Sequence, residues 1–582
     1  MELVGEDSIA VLPFRNISSD KENEYFSDGV TEEIINALTK VEGLNVIARS
    51  SAFTFKDQNA DPKKVGDQLG VAYILEGSVR KSGNKVRVTV QLIKVSDRFH
   101  VFSEVYDQEL KDIFEVQDDI ANKIVRKFAE NIGIPETRKK LIASSTKNVE
   151  AYELYLKGRF NLGKASLEAT KAAIQYFEVS LQKDKDFVLP IAGLASCYTF
   201  LGGSGLMNAS QAFEKAKKYA YESIRLDENV ADNHLALAKS FFWCDWNFEK
   251  TSHSIRKAIQ LAPGTSSIHG FNSIFLLATG KMDEALIEAQ LAAKLDPLSL
   301  NSRFHLGELY YRSERYIEAL EIFNEILGEN SFYTQANIFK AWCHLFLGEL
   351  ETAINIFSAL PISSQDSITF HGGLAIAYFK KMQYDKVLEC LRHFNSEVEK
   401  GNQYWLNYNY TLIFRALGER GKMFEYLEKC LQEKITPLLF IKVDPVWNEF
   451  RNDPQFIELV EKSFAPGRKE RMVTIKTDTR EVLPIKLNEL LYVEAQENYS
   501  RVVWAEGGDV KEKLLRVTLK NIESQVVDNN IVRCHRSFII NTSADFTIQG
   551  NSNGYRLKSE LFSDTIPISR NLGNVIVNKI KN

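Results

Sequence analysis

The 582-residue sequence predicts a multidomain fold, with an N-terminal α+β module, a central α-solenoid and a C-terminal all-β domain. Three observations predict it. Strand and helix signals alternate over residues 8–130, a helical pattern recurs every 34 residues from Phe248 onward, and short β-rich runs replace helical periodicity after Pro466-Gly467. The length also exceeds what one hydrophobic core supports. The boundaries expected are 1–132 and 148–464, a linker at 465–471, and 472–582.

In the first module, Ser8 to Phe14 has the apolar run of a buried strand ending at a turn. Asp28 is expected to cap a helix through Leu38, with Thr31, Glu32 and Glu33 in its polar first turn. On that reading Asp28, Glu32 and Glu33 are capping groups and not a catalytic carboxylate cluster. Three β-rich runs lie between Val71 and Tyr106, two of them meeting at the hairpin signal Lys81-Ser82-Gly83-Asn84-Lys85, and Asp112 to Ala129 is helical.

The middle region carries the repeat. Phe248-x-x-Thr251, Met282-x-x-Ala285, Tyr316-x-x-Ala319, Leu350-x-x-Ala353 and Tyr384-x-x-Val387 are each 34 residues apart, with Ile255, Ala289, Phe323, Phe357 and Leu391 four positions further on. Pro263 and Pro297 end the second helix of their units at the same spacing. This is the period of tetratricopeptide repeats, in which a small residue sits where two helices cross. About eight units are expected, closed by a capping helix from Asp453 to Phe464, with a concave face that binds a protein or peptide partner. The rings of Phe241-Phe242-Trp243-Cys244-Asp245-Trp246 are assigned mainly to the core between repeats.

Composition narrows the function. Apolar residues make up 44% and charged residues 26%, an ordinary globular balance. No run of 18 apolar residues is present, so no membrane segment is expected. Met1 to Asp7 lacks the basic and apolar regions of a secretion signal. Six separated cysteines without a C-x-x-C pair read as buried thiols in a reducing compartment, hence a cytoplasmic location. The scattered histidines show no i, i+4 pairing, so neither metal nor other cofactor is expected. No phosphate-binding loop or kinase motif set occurs, and Cys534 and His535, adjacent on a strand, point to opposite faces and cannot pair as nucleophile and base. The chain is therefore expected not to be an enzyme. Net charge is −5 but uneven: residues after 467 hold 18 Lys and Arg against 14 Asp and Glu, leaving 54 against 63 before them. One basic end on an acidic body suits contact with a polyanion.

That end contains four strings in a fixed order: Glu494-Ala495 with Asn498-Tyr499, then His535-Arg536-Ser537-Phe538, then Asn541, then Pro567-Ile568-Ser569-Arg570. In this order they resemble the LytTR family of bacterial DNA-binding domains, a β-fold whose loops enter successive major grooves. The resemblance implies three loops holding Asn498, Tyr499 and Ser500; His535 and Arg536; and Ser569, Arg570 and Asn571. Arginine pairs in bidentate fashion with guanine and asparagine with adenine, so Arg536, Arg570 and Asn498 are the expected base readers. Lys513, Arg556 and Lys558 are assigned to phosphates. The first module likewise resembles the small α/β domain of TolB-like and FlgO-like proteins, through Ala10-Val11-Leu12-Pro13-Phe14, Tyr25 to Glu33 and Leu75 to Arg80. The combined expectation is a transcription regulator that binds double-stranded DNA as a dimer, receives a protein partner on its repeats, and carries a sensory or assembly module. The alternative is a repeat scaffold whose last domain only packs or dimerises.

Overall fold

The computed structural model describes residues 5–580 apart from 6, 59–60, 133–145, 361–369, 400–405, 465–471, 478, 480, 488, 507–508, 527–530, 543, 545, 552–553, 560–561, 563, 574–575 and 578–579. The expected linker, 465–471, lies outside the described residues. Met1–Ser463 forms one compact unit and Phe464–Asn582 a second.

In the first unit, β1 (Ser8–Val11) runs parallel between β3 (Asn45–Val46) and β4 (Tyr73–Ser82), and the short β2 (Arg15–Asn16) also pairs with β4. Beyond β4 the sheet turns antiparallel through β5 (Lys85–Lys94) and β6 (His100–Glu109). The β4–β5 turn falls where the sequence places it, with Gly83 at φ +58°, a left-handed backbone that glycine enters without a side-chain clash. Helices Glu24–Leu38, Arg49–Ala52, Pro62–Leu69 and Ile113–Ile132 belong to the same module.

Sixteen solenoid helices among the described residues pair into eight repeats between Val149 and Gln432. The second helices of five repeats begin at Phe248, Met282, Tyr316, Leu350 and Tyr384, the anchors of the 34-residue period. Thr251, Ala285, Ala319, Ala353 and Val387 are fully buried at the crossings. The fit is tight on the opposing helix as well: a Cβ on Gly307 would stand 2.6 Å from the Phe323 ring. Phe242 is completely buried and packs edge-on against Phe271 and Phe275, as expected of repeat core. After the last repeat, a strap of two 3-10 turns, Thr436–Phe440 and Pro445–Phe450, precedes the capping helix Pro454–Phe464. The strap reaches back across the solenoid. Arg312 donates to Asp444 at 2.7 Å and lies 4.3 Å from the Phe440 ring, Asn448 donates to Glu314, and Lys434 donates to the Asp245 carbonyl. The strap thus covers the solenoid surface around Arg312 and Glu314.

Two of the three carboxylates read as caps, Glu32 and Glu33, fix the N-terminal module to the solenoid. That reading is corrected: the helix starts at Glu24, so Asp28, Glu32 and Glu33 lie inside it and are buried. Asp28 accepts from Lys56 at 2.7 Å. Glu33 accepts from the Tyr155 hydroxyl at 2.9 Å, and burial pushes its pKa up. Glu32 is paired with Arg159 and with Arg49. Burial alone would raise Glu32, but the two guanidinium groups hold it below the usual carboxylate range. Backbones meet closely beside this network, since a Cβ on Gly29 would lie 2.6 Å from Leu156. Further along, Ser50 and Ser51 donate to Asp296, and Gly264 N–H donates to the Thr39 carbonyl. Arg159→Met should leave Glu32 incompletely paired and destabilise the docked module by about 3 kcal/mol. Hydrogen exchange in Glu24–Leu38 should then accelerate, and a double Glu32→Leu/Arg159→Met variant should recover protection; unchanged exchange in the single variant would refute the assignment.

Candidate nucleic-acid interface

Strand periodicity splits the side chains of the C-terminal unit between two cores. The central sheet has the order β11 (Asp509–Leu515), β10 (Tyr499–Glu506), β9 (Leu490–Gln496), β13 (Phe538–Asn541), β12 (Ile531–His535). Val493, Val502, Leu515 and Ile539 face one core, closed by the hairpin of β7 (Met472–Lys476) and β8 (Val482–Lys486) and by helix Leu519–Gln525. Tyr492, Val503, Cys534 and Ile540 face the other. That core is closed by β14 (Thr547–Asn551), β15 (Gly554–Lys558) and β16 (Ile566–Pro567) together with Ile568 and Ile576. Burial pushes the Cys534 thiol up to about 12, so it stays protonated inside this core.

With both faces covered, the turns at one end of the sheet form the accessible surface of interest. Gln496 pairs with Tyr499, so Glu497 and Asn498 form a two-residue hairpin turn. Glu497 has φ +52°, which costs a residue with a Cβ about 1–2 kcal/mol. His535 pairs with Phe538, so Arg536 and Ser537 form a second such turn. The His535 ring accepts from Ser537 N–H at 3.3 Å, and Arg533 donates to the Arg536 carbonyl at 2.8 Å. Two main-chain bonds then tie three turns together. Ala495 N–H donates to the Ser537 carbonyl at 2.8 Å, joining the second turn to the first. Ser569 N–H donates to the Cys534 carbonyl at 2.8 Å, joining the third, Arg570–Leu572, to the second.

The residues expected at the site divide accordingly. Asn498, Tyr499 and Arg536 are exposed, as is Asn571, while His535 and Ser569 are half-buried in the supports of their turns. The side chain of Arg570 lies outside the described residues. Ser500 needs correction. It is fully buried and donates to the Val517 carbonyl at 2.7 Å, because a two-residue turn leaves it one step inside the strand, pointing into the core. Lys513 is paired with Glu481 at 2.7 Å and stands on β11, opposite Val502 and away from the three turns. Arg556 and Lys558 are exposed on β15, alternating with core-facing Tyr555 and Leu557, and Arg556 pairs across to Pro567 just ahead of the third turn. The sequence reading missed Arg533 and Arg501. Once the first turn is taken as two residues, period-two register sets Arg501 opposite Glu494. That register was the available signal.

A family model described as the LytTr DNA-binding domain matches residues 480–581. A second, described as the HilA/YgeH-like transcriptional regulator, second domain, matches residues 5–123. Among curated proteins, the chain is 36% identical over 248 residues to "Putative adenylate cyclase 3" of Rhizobium meliloti (strain 1021), covering 42% of this chain and 41% of that protein. It is 22% identical over 297 residues to the transcriptional regulator HilA of Salmonella typhimurium (strain LT2), covering 50% of this chain and 51% of that protein. The chain thus spans about half the length of these relatives or less. A solved LytTr DNA-binding domain from Bacillus cereus is similar at 21% identity and a TM-score of 0.16, covering 19% of this chain and 97% of that one.

Ser500→Ala should remove a buried hydrogen bond, orphan the Val517 carbonyl and destabilise the C-terminal unit by about 1–2 kcal/mol. Urea denaturation followed by Trp504 fluorescence would show this, and an unchanged midpoint would count against it. The chain carries a LytTR-type DNA-binding domain at its C-terminal end, behind a tetratricopeptide-repeat solenoid and a HilA/YgeH-like regulator module.

Proposed function

We propose that the protein is a transcription regulator that reads DNA with the three joined turns. The observation supporting this is their tethering at one end of the sheet through Ala495–Ser537 and Ser569–Cys534, with Asn498, Tyr499, Arg536 and Asn571 turned outward. Arg536, Arg570 and Asn498 read base edges, with His535 and Ser569 shaping the turns. Arg556 and Lys558 lie on phosphates and set register. Lys513 serves there only if DNA displaces Glu481. The working parts are 1–132, 148–464 and 472–582, the reader pairs as a dimer on direct repeats, and the protein acts in the cytoplasm. The repeats receive a protein partner on surface that the strap and the docked N-terminal module leave uncovered. The module itself transmits a signal through its contact with the solenoid.

Gel-shift or anisotropy titrations on genomic fragments at several salt concentrations test the reading. Arg536→Ala should weaken binding by about 1–3 kcal/mol and relax sequence preference. Arg556→Ala and Lys558→Ala should weaken all sequences alike, each lowering the salt slope by about 0.9. Full affinity and preference in Arg536→Ala would overturn the base assignment.

The DNA-binding and regulator domain matches support a non-enzymatic protein, while the relative bearing a cyclase name favours a second reading. Incubating the full chain with ATP and magnesium should yield no cyclic AMP. Detectable turnover would reverse this view.

A further inference from the structure

Arg501 lies two residues inside the first turn, where the supports of all three turns converge. Its guanidinium meets Glu494 at 3.0 Å, Glu512 at 3.3 Å and Asp564 at 2.8 Å, and donates to the Tyr492 hydroxyl at 2.8 Å. Glu494 is the residue across the first hairpin and also pairs with Phe538, which opens the strand after the second turn. Asp564 lies in the segment that leads to the third turn. Tyr492 donates to Asp564 at 2.5 Å, and its ring packs 4.9 Å from that of Phe562 in the same segment. From there the chain pairs through β16, bonds Ile568 N–H to the Tyr555 carbonyl, bonds Ser569 N–H to Cys534, and enters the turn.

We propose that Arg501 is a positioning residue for the third turn and not a phosphate contact. This rests on the DNA-binding reading above. A basic side chain so near a recognition turn would ordinarily be assigned to the DNA backbone, but three carboxylates surround this one and more than cancel its charge. Its side chain is 20% exposed, and its two terminal nitrogens donate to Glu512, to the Tyr492 hydroxyl and to Asp564. Removing it leaves Glu494, Glu512 and Asp564 as mutually repelling carboxylates and frees Asp564 from β10. The 564–572 segment then keeps its apolar anchors, its main-chain bonds and the Tyr492–Asp564 hydrogen bond, but loses the charged tie that holds Asp564 to β10.

The test uses the full chain with its best-bound genomic fragment. Arg501→Gln should weaken binding about three- to tenfold, with the slope of log affinity against log salt unchanged. Lys558→Ala, by contrast, should reduce that slope. Asp564→Ala should weaken binding similarly, and the Arg501→Gln/Asp564→Ala pair should be no worse than either alone. In an Asn571→Ala background Arg501→Gln should have little further effect, because both act through the same turn. Arg501→Lys, which keeps the charge, should recover part of the loss. A reduced salt slope in Arg501→Gln, or full additivity with Asn571→Ala, overturns the proposal. Hydrogen exchange over 564–573 without DNA is an independent readout: Arg501→Gln should accelerate it, and unchanged protection overturns the proposal even if no fragment binds. Failure of the wild type to bind any fragment, with exchange accelerated as expected, rejects the DNA reading alone.

Discussion

The central sheet of the C-terminal unit is buried on both faces, and that constraint decides what the domain can present. Period-two alternation sends Val493 and Val502 to one core and Tyr492 and Val503 to the other. A sheet used in this way offers a ligand only its two edges and its two ends. At one end, two two-residue turns and a 3-10 turn are held by main-chain bonds, which depend on strand register and not on side-chain identity. The turns can therefore vary in what they present while their spacing stays fixed. Rigid support of variable tips is the arrangement that precise groove reading requires.

The N-terminal unit depends on a different device. Its module is held by Glu32 paired with Arg159 on the first repeat and by Ser50 and Ser51, which donate to the buried Asp296 at a turn between later repeats. Such pairs add little net stability over apolar packing, but breaking one is expensive because the remaining charge is stranded. The contact is thus specific and intolerant of partial loss. Any rotation between helix Glu24–Leu38 and helix Val149–Leu162 would separate Glu32 from Arg159.

What was legible in the sequence followed from local periodicity. The 34-residue anchors mark helix starts, and the Gly83 hairpin emerges from alternation and turn residues. The misreadings have a common physical cause. Asp28, Glu32 and Glu33 resemble a helix start because capping is a local signal, whereas the partner that settles Glu32 is Arg159, 127 positions away. Ser500 was carried into the first loop with its motif, although a two-residue turn leaves no room for a third loop residue. Strand β8 contains Pro484, which cannot donate to a ladder; β8 pairs with β7 alone in a two-stranded sheet, so a proline there is tolerated. Arg501 looks like a phosphate contact until register brings Glu494 and Glu512 beside it.

The strap across the solenoid sets the terms for any partner. Leu438, Leu439, Ile441 and Trp447 in and beside its turns are completely buried. Exposing side chains of this size costs about 1.5–3 kcal/mol each, so lifting four of them costs about 6–12 kcal/mol, comparable to the whole stability of a typical domain. The Arg312–Asp444 pair, buried at its base, adds the penalty of stranding a charge. A partner cannot supply that much free energy and still bind reversibly at ordinary affinity, since differential binding of about 5.5 kcal/mol already drives a full population shift. The strap is therefore fixed in place and not a displaceable lid, and any partner of the repeats would meet only the surface that the strap leaves exposed.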